Sequence, residues 1–289
     1  MEILLALGAA VSYGASDFVG GFLGKTVRVV VVVLLAQLVS VVVLIAVLPF
    51  WDGELSAGAI GWGAAAGLAG GGGASLLYRG LAIGRMSVVA PITALLAAGI
   101  PVVFGLAVGE RPGPVALSGV GVGLLAVAII TRAPNSPGPQ APGDHAAAQA
   151  PPVSTGGIGE AVGAGFGFGL FFILLDRSPD DSGLWPLMGM RISMIVAFGL
   201  ILAIGRISLR TPPGTTRGLL GLGFLNVLAD LLYLLATRRG LLALVAVITS
   251  MYPAATVLMA RLVLRERVAG RQLLGLAVAA ASVVLIAWR

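Results

Sequence analysis

Apolar runs about as long as a lipid bilayer is thick follow one another along almost the whole of this chain, and that constrains its fold more than any other feature. A helix needs about 20 mostly apolar residues to cross the hydrocarbon core. Ten such runs are found, over 3–23, 29–48, 59–78, 88–108, 115–131, 158–175, 184–204, 219–236, 242–264 and 273–288. Membrane β-strands do not fit, because the runs are too long and lack two-residue alternation. A water-soluble fold does not fit either. Hydrophobic residues make up 58% of the 289 and charged residues only 10%, against about 25% charged in soluble domains. The sequence therefore predicts an all-α integral membrane protein of about ten transmembrane helices. The first run continues through Tyr13 and Asp17 with no basic leader before it, so it is expected to be a retained helix rather than a cleaved signal.

One long polar stretch interrupts the pattern. Residues 132–156 are rich in Pro, Ala and Gln and carry no apolar periodicity. Such a segment cannot bury enough surface to fold, and a flexible linker is expected. It divides the chain into a first five-helix repeat over 1–131 and a second over 157–289. The halves resemble each other. Leu77-Tyr78 recurs as Leu232-Tyr233, Ile92-Thr93 as Ile248-Thr249, Glu110-Arg111 as Glu266-Arg267, and Gly119 as Gly275. The last three pairs share one spacing, and the first differs from it by one residue. Five is odd, so the second half re-enters the membrane from the opposite side. Two inverted five-helix repeats are an arrangement found in many secondary transporters, where the halves rock about a central site.

The same stretches carry a family resemblance. LYRGLAIGRMSVVAPITALLAAGIPVVFGLAVGERPGPVALSGVGVGLL (77–125) and LYLLATRRGLLALVAVITSMYPAATVLMARLVLRERVAGRQLLGL (232–276) each read as a proline-containing helix, a short charged turn ending in Glu-Arg, and a glycine-containing helix. Both are similar to the EamA-type module of the drug/metabolite transporter superfamily, and YGASDF (13–18) also fits. The likeness spans nearly everything but the linker. It implies a ten-helix basket in the plasma (inner) membrane whose central cavity moves metabolites, often outward, with both termini in the cytoplasm. The distribution of Lys and Arg points to the opposite orientation, so the sequence leaves orientation open. The match between halves is imperfect: Arg265 stands where the first has Gly109, Pro253 faces Ala97, and Pro91 and Pro101 face Val247 and Val257.

Charges within membrane helices cost at least about 2.5 kcal/mol at the centre on insertion scales, so the few present are the first candidates for function. Asp17, Arg191 and Asp230 lie well inside. Arg191 and Asp230 fall at one level, about 10 Å deep by the helical rise. They are either an ion pair joining the seventh and eighth helices or groups that meet substrate or a proton. Asp17 lies nearer the other end, as a hydrated residue at a cavity mouth or as a proton- or cation-binding carboxylate. Tyr13 shares its helix face and Ser16 flanks it. Pro91, Pro101 and Pro253 free backbone carbonyls, either in packed kinks or in kinks lining a cavity. Thr93, Thr249, Ser250, Tyr252 and Thr256 add polar groups on the same helices, although membrane Ser and Thr mostly bond back to their own helix. Tyr78, Asn226 and Tyr233 complete the candidate set. The glycines at 63, 67 and 70–73 predict close helix contact rather than local unwinding. Glu110 and Glu266, beside Arg111 and Arg267, read as interfacial turns that cap and pair.

Several function classes drop out. There is no Cys, which excludes thiolate nucleophiles and cysteine metal sites. His145, the single histidine, falls in the linker. No GK[ST] follows the glycine run, so no nucleotide loop is present. The net charge of +6 comes from residues set singly or in pairs, with no basic stripe for nucleic acid. No cofactor or metal and no enzymatic activity are expected. The reading is a secondary transporter, an exporter of a small metabolite or drug-like solute working by alternating access, with Asp17 and Asp230 as proton candidates. The expected partners are that solute and the bilayer, for a monomer or homodimer. A lipid or lipid-linked sugar flippase and a non-transporting scaffold or receptor are the alternatives.

Overall fold

The computed structural model describes residues 1–24, 26–83, 86–132, 157–264 and 270–288. Among them are eleven α-helices and no strand: α1 (Glu2–Gly24), α2 (Val29–Val47), α3 (Ala57–Ile83), α4 (Met86–Ala107), α5 (Pro114–Arg132), α6 (Ile158–Asp176), α7 (Trp185–Ile204), α8 (Thr215–Thr237), α9 (Leu242–Thr249), α10 (Tyr252–Leu264) and α11 (Gly270–Ala287). Large apolar side chains face outward as well as inward, and a few polar ones are buried. Leu4, Val42, Val103, Phe166, Leu200 and Leu262 are exposed on the outside, while Ser40, Thr93, Arg191 and Asp230 are buried within. That is the distribution expected where lipid, not water, is the outer solvent. The spans 2–24, 29–50, 158–176, 185–204 and 215–237 are long and apolar enough to cross a membrane, and shorter apolar helices accompany them.

The two halves interlock rather than sit side by side. In the first half α1 packs on α8, and its counterpart α6 packs on α3. Likewise α2 packs on α8 as α7 packs on α3, and α4 on α6 as α9 and α10 on α1. The pairs α5–α11, α4–α9 and α2–α7 join each helix to its own counterpart. Counterparts run antiparallel: Gly119, early in α5, meets Ile286 at the end of α11, and Gly123 meets Ser282. Ser282 also donates to the Gly119 carbonyl at 2.7 Å. The two-repeat layout read from the sequence fits this arrangement.

Glycine sets how closely the halves approach. At Gly63 a side chain would run into the Pro186 backbone, and at Gly67 it would meet Met190 and Ser193 of α7. At Gly14 it would meet the backbone of Tyr252 and Thr256 in α10. The helix α3 is unbroken through residues 70–73, so close contact, not unwinding, accounts for Gly63, Gly67, Gly70, Gly71 and Gly73, while Gly72 meets nothing within 4 Å.

The ninth run is a correction. The sequence reading expected one helix over 242–264; the structure has two, separated at Ser250 and Met251. Pro253 is the cause. It has no N–H to offer the carbonyl four residues back, that of Thr249, and its ring would collide there. The helix therefore stops at Thr249 and restarts with Pro253 in its first turn, where a missing donor costs nothing. Pro253 is thus not an interior proline. Pro101, by contrast, is carried within a continuous α4. The linker expected over 132–156, with His145, falls outside the described residues apart from Arg132, as do Lys25, Glu266 and Arg267.

At the end of the bundle where α1 begins and α11 finishes, all four tryptophans lie on chain ends of helices or beside them: Trp51 after α2, Trp62 early in α3, Trp185 opening α7, and Trp288 after α11. Tryptophan favours the boundary between lipid and water.

Candidate functional site

A cavity of about 220 Å³ lies between the halves, lined from both. Tyr13, Ser16 and Asp17 reach it from α1, Gln37 from α2, Gly67, Gly70, Ala74 and Leu77 from α3, and Ala97 from α4. The second half supplies Phe168, Phe171 and Phe172 from α6, Met190, Arg191 and Met194 from α7, Asn226 and Asp230 from α8, and Tyr252 from the start of α10.

One wall is a buried polar network. Arg191 and Asp230 form an ion pair between α7 and α8, with side chains only 3% and 5% exposed. The Arg191 Nη1 also donates to Gln37 Oε1 at 2.8 Å. Tyr13 donates to the second Asp230 oxygen at 2.5 Å, and the Gln37 amide donates to Met194 Sδ at 3.3 Å. Four helices from both halves are thereby tied by one pair of charges. A buried pair in a low-dielectric setting is supported when its remaining hydrogen-bonding capacity is also used; Gln37 and Tyr13 each supply one such bond, while the Arg191 Nε is left without a partner among the described residues. Of the two sequence alternatives for Arg191 and Asp230, the structure shows the ion pair, and the pair lies on the cavity wall.

Asp17 is different. It is exposed within the cavity lining and has no hydrogen-bond or ion-pair partner among the described residues. Asn226, partly exposed, likewise has none there. Ser16 is buried and bonds back to the Tyr13 carbonyl at 3.0 Å, the local habit expected of serine in a helix.

Other sequence candidates sit elsewhere. Tyr233 is fully buried and donates to the Phe172 carbonyl at 3.0 Å. Its ring tilts against Phe172 at 4.8 Å and stacks with Phe171 at 6.4 Å. It backs the aromatic wall without lining the cavity. Thr93, also buried, donates across to the Ala161 carbonyl at 3.1 Å and joins α4 to α6. Pro253 breaks the helix beside Tyr252 and is not a lining residue. The side chains of Tyr78 and Pro91 lie outside the described residues. The hydroxyls of Thr249 and Ser250, buried at the helix break, find no partner among the described residues. Gln37 and the three α6 phenylalanines are lining residues that sequence reasoning missed.

Toward the end where α8 finishes and α9 begins, Leu175, Leu184, Leu187, Leu234 and Leu242 are buried, and a second cavity of about 510 Å³ lies among Glu2, Arg111, Arg238, Arg239, Leu241 and Ile248. Glu110, following α4, accepts the backbone N–H of Leu242 at 2.6 Å and of Ala243 at 2.9 Å. It caps the first turn of a helix in the other half, where free N–H groups and the helix dipole favour a carboxylate. The capping expected of Glu110 is thus made across the repeat. Arg238 donates to the Pro179 carbonyl at 3.1 Å and to Ser182 Oγ at 3.0 Å. Burial lowers its guanidinium from the ordinary value, and Asp180 and Asp181 act in the opposite sense. Among the described residues, no group of His, Asp or Glu is arranged to hold a metal ion.

Comparisons with known proteins agree with this architecture. The model of the EamA-like transporter family matches residues 1–132 and again 155–288. A crystal structure titled only "Crystal structure of protein" superposes with a TM-score of 0.75 over 98% of this chain and 95% of that one, at 15% identity. At that identity the likeness shows the fold alone. No curated protein matches the sequence.

Proposed function

Because the chain belongs to the EamA-like transporter family, and so is a multi-pass membrane protein of a transporter rather than an enzyme family, we propose that it is a secondary transporter exporting a small solute across the plasma membrane. Ten membrane crossings, with α9 and α10 together forming one, make two inverted repeats that rock about the cavity. The observation that carries this reading is the cavity itself. It lies between the halves and draws its polar groups from both. Exchanging the roles of two inverted halves turns such a cavity from one face of the membrane to the other, which is alternating access. The driving force is a proton or substrate gradient, with Asp17 and Asp230 as the proton-carrying candidates. A monomer contains the whole cavity.

The natural absence of cysteine makes the test direct. Asn226→Cys, on the cavity wall, is expected to react with a membrane-impermeant maleimide added to either face of sealed vesicles. Reaction from one face only contradicts alternating access.

A further inference from the structure

The charge balance of the cavity distinguishes between classes of solute. Its lining contains three side chains that can carry a full charge: Asp17, Arg191 and Asp230. Two of them cancel. Arg191 is 2% exposed, its charge is paired with Asp230 and its Nη1 donates to Gln37; its Nε, without a partner among the described residues, is buried, so the neutralised guanidinium sits in the wall rather than facing the solute. Asp17 alone is exposed and unpartnered among the described residues. A cavity with its one positive group neutralised and one free carboxylate repels anions and attracts cations.

The rest of the wall suits a cation with an apolar body. Phe168, Phe171 and Tyr252 are partly exposed on it, with Met194 beside them and Phe172 behind. Aromatic faces attract organic cations, by about 0.5–2 kcal/mol depending on desolvation. The Phe171–Phe172–Tyr233 cluster, with centroids 4.8–6.4 Å apart, fixes the rings in place. Size narrows the class further. About 220 Å³ is below the roughly 300 Å³ at which pockets for drug-sized ligands begin, so the occupant is metabolite-sized.

Resting on the transporter reading above, we infer that the solute is a small amphipathic organic amine, carried as its ammonium ion, with Asp17 as its counter-charge and the α6 phenylalanines and Tyr252 against its apolar part. The inference is tested by calorimetric titration of the purified full chain with three probes of one shape: 2-phenylethylammonium, 2-phenylethanol and 3-phenylpropionate. The ammonium is expected to bind at least tenfold more tightly than the other two. Asp17→Asn is expected to weaken it tenfold or more, while Asp17→Glu keeps the preference and shows that the site is folded. Equal or tighter binding of the alcohol or the carboxylate overturns the inference, as does ammonium binding unchanged in Asp17→Asn or absent altogether. Counterflow in liposomes separates the two readings. Flux of the alcohol or carboxylate without flux of the ammonium overturns the amine and keeps the transporter; Asp17-dependent binding of the ammonium without flux keeps the amine site and overturns the transporter.

Discussion

Tyr13 donates its hydroxyl to Asp230 at 2.5 Å, so a first-half helix reaches into an ion pair whose two charges both belong to the second half. Gln37 does the same to Arg191 from α2. The network is therefore a joint between halves, set in the wall of the space where a solute would sit. Removing the Tyr13 hydroxyl leaves one Asp230 oxygen short of a donor. Tyr13→Phe is expected to lower stability by about 1.5–3 kcal/mol, the range for hydrogen bonds to charged groups, measured by thermal unfolding in detergent.

Breaking the ion pair from one side costs more. Asp230→Asn leaves the Arg191 charge buried without its counter-ion, a loss of about 3–5 kcal/mol. The double variant Arg191→Met, Asp230→Leu is expected to regain most of that stability, because replacing a buried pair with apolar groups removes the desolvation cost along with the attraction. A double variant no more stable than Asp230→Asn shows that the charges are not acting as a pair.

Glu110 holds the first turn of α9 across the repeat. Glu110→Ala is expected to destabilise by about 0.5–2 kcal/mol, as for other lost helix caps. Hydrogen exchange locates the effect: the amides of Leu242 and Ala243 lose protection first. Unchanged exchange at both amides argues against the cap.

The glycines of α3 are not equivalent, and this separates packing from propensity. Gly63→Ala pushes a methyl group into the Pro186 backbone, and is expected to cost about 1–3 kcal/mol as an overpacked contact. Gly72→Ala meets nothing within 4 Å and is expected to be neutral or stabilising, by up to about 1 kcal/mol from helix propensity. Thermal unfolding of the two variants side by side checks the contrast.

Much of this was legible in the sequence, for reasons that can be traced. Long apolar runs announce membrane helices because lipid demands them. Arg191 and Asp230 could be paired on paper because helical rise converts residue number into depth. The glycine run revealed a close contact but not its partner, since the tertiary path of α7 is not local information. The α9–α10 break lies at the proline that was noticed, but proline alone does not separate a kink from a stop: α4 continues through Pro101, whereas the chain restarts at Pro253. Phe168, Phe171 and Phe172 escaped because an aromatic residue in an apolar run looks the same facing lipid or cavity. Gln37 carried a usable signal, as an amide amid VVVVVLLAQLVSVVV, and was passed over in favour of full charges.

If the transport proposed is proton-coupled, Asp17 is the first candidate to carry the proton, as the one cavity carboxylate without a described partner. Asp17→Asn is expected to abolish proton-driven accumulation in reconstituted vesicles. Coupling that persists in that variant assigns the proton elsewhere, with Asp230 next.

The central claim is that this chain moves a solute through the cavity between its halves. Counterflow with purified protein in liposomes tests it most directly, because no imposed gradient is needed and the coupling ion need not be known. Across a panel of amines, amino acids, nucleosides and drug-like cations, the account predicts uptake above empty liposomes, with amines foremost and with the signal lost in Asp17→Asn. No uptake of any member by protein shown to be folded contradicts it, and turns the reading toward a lipid flippase or a role without transport.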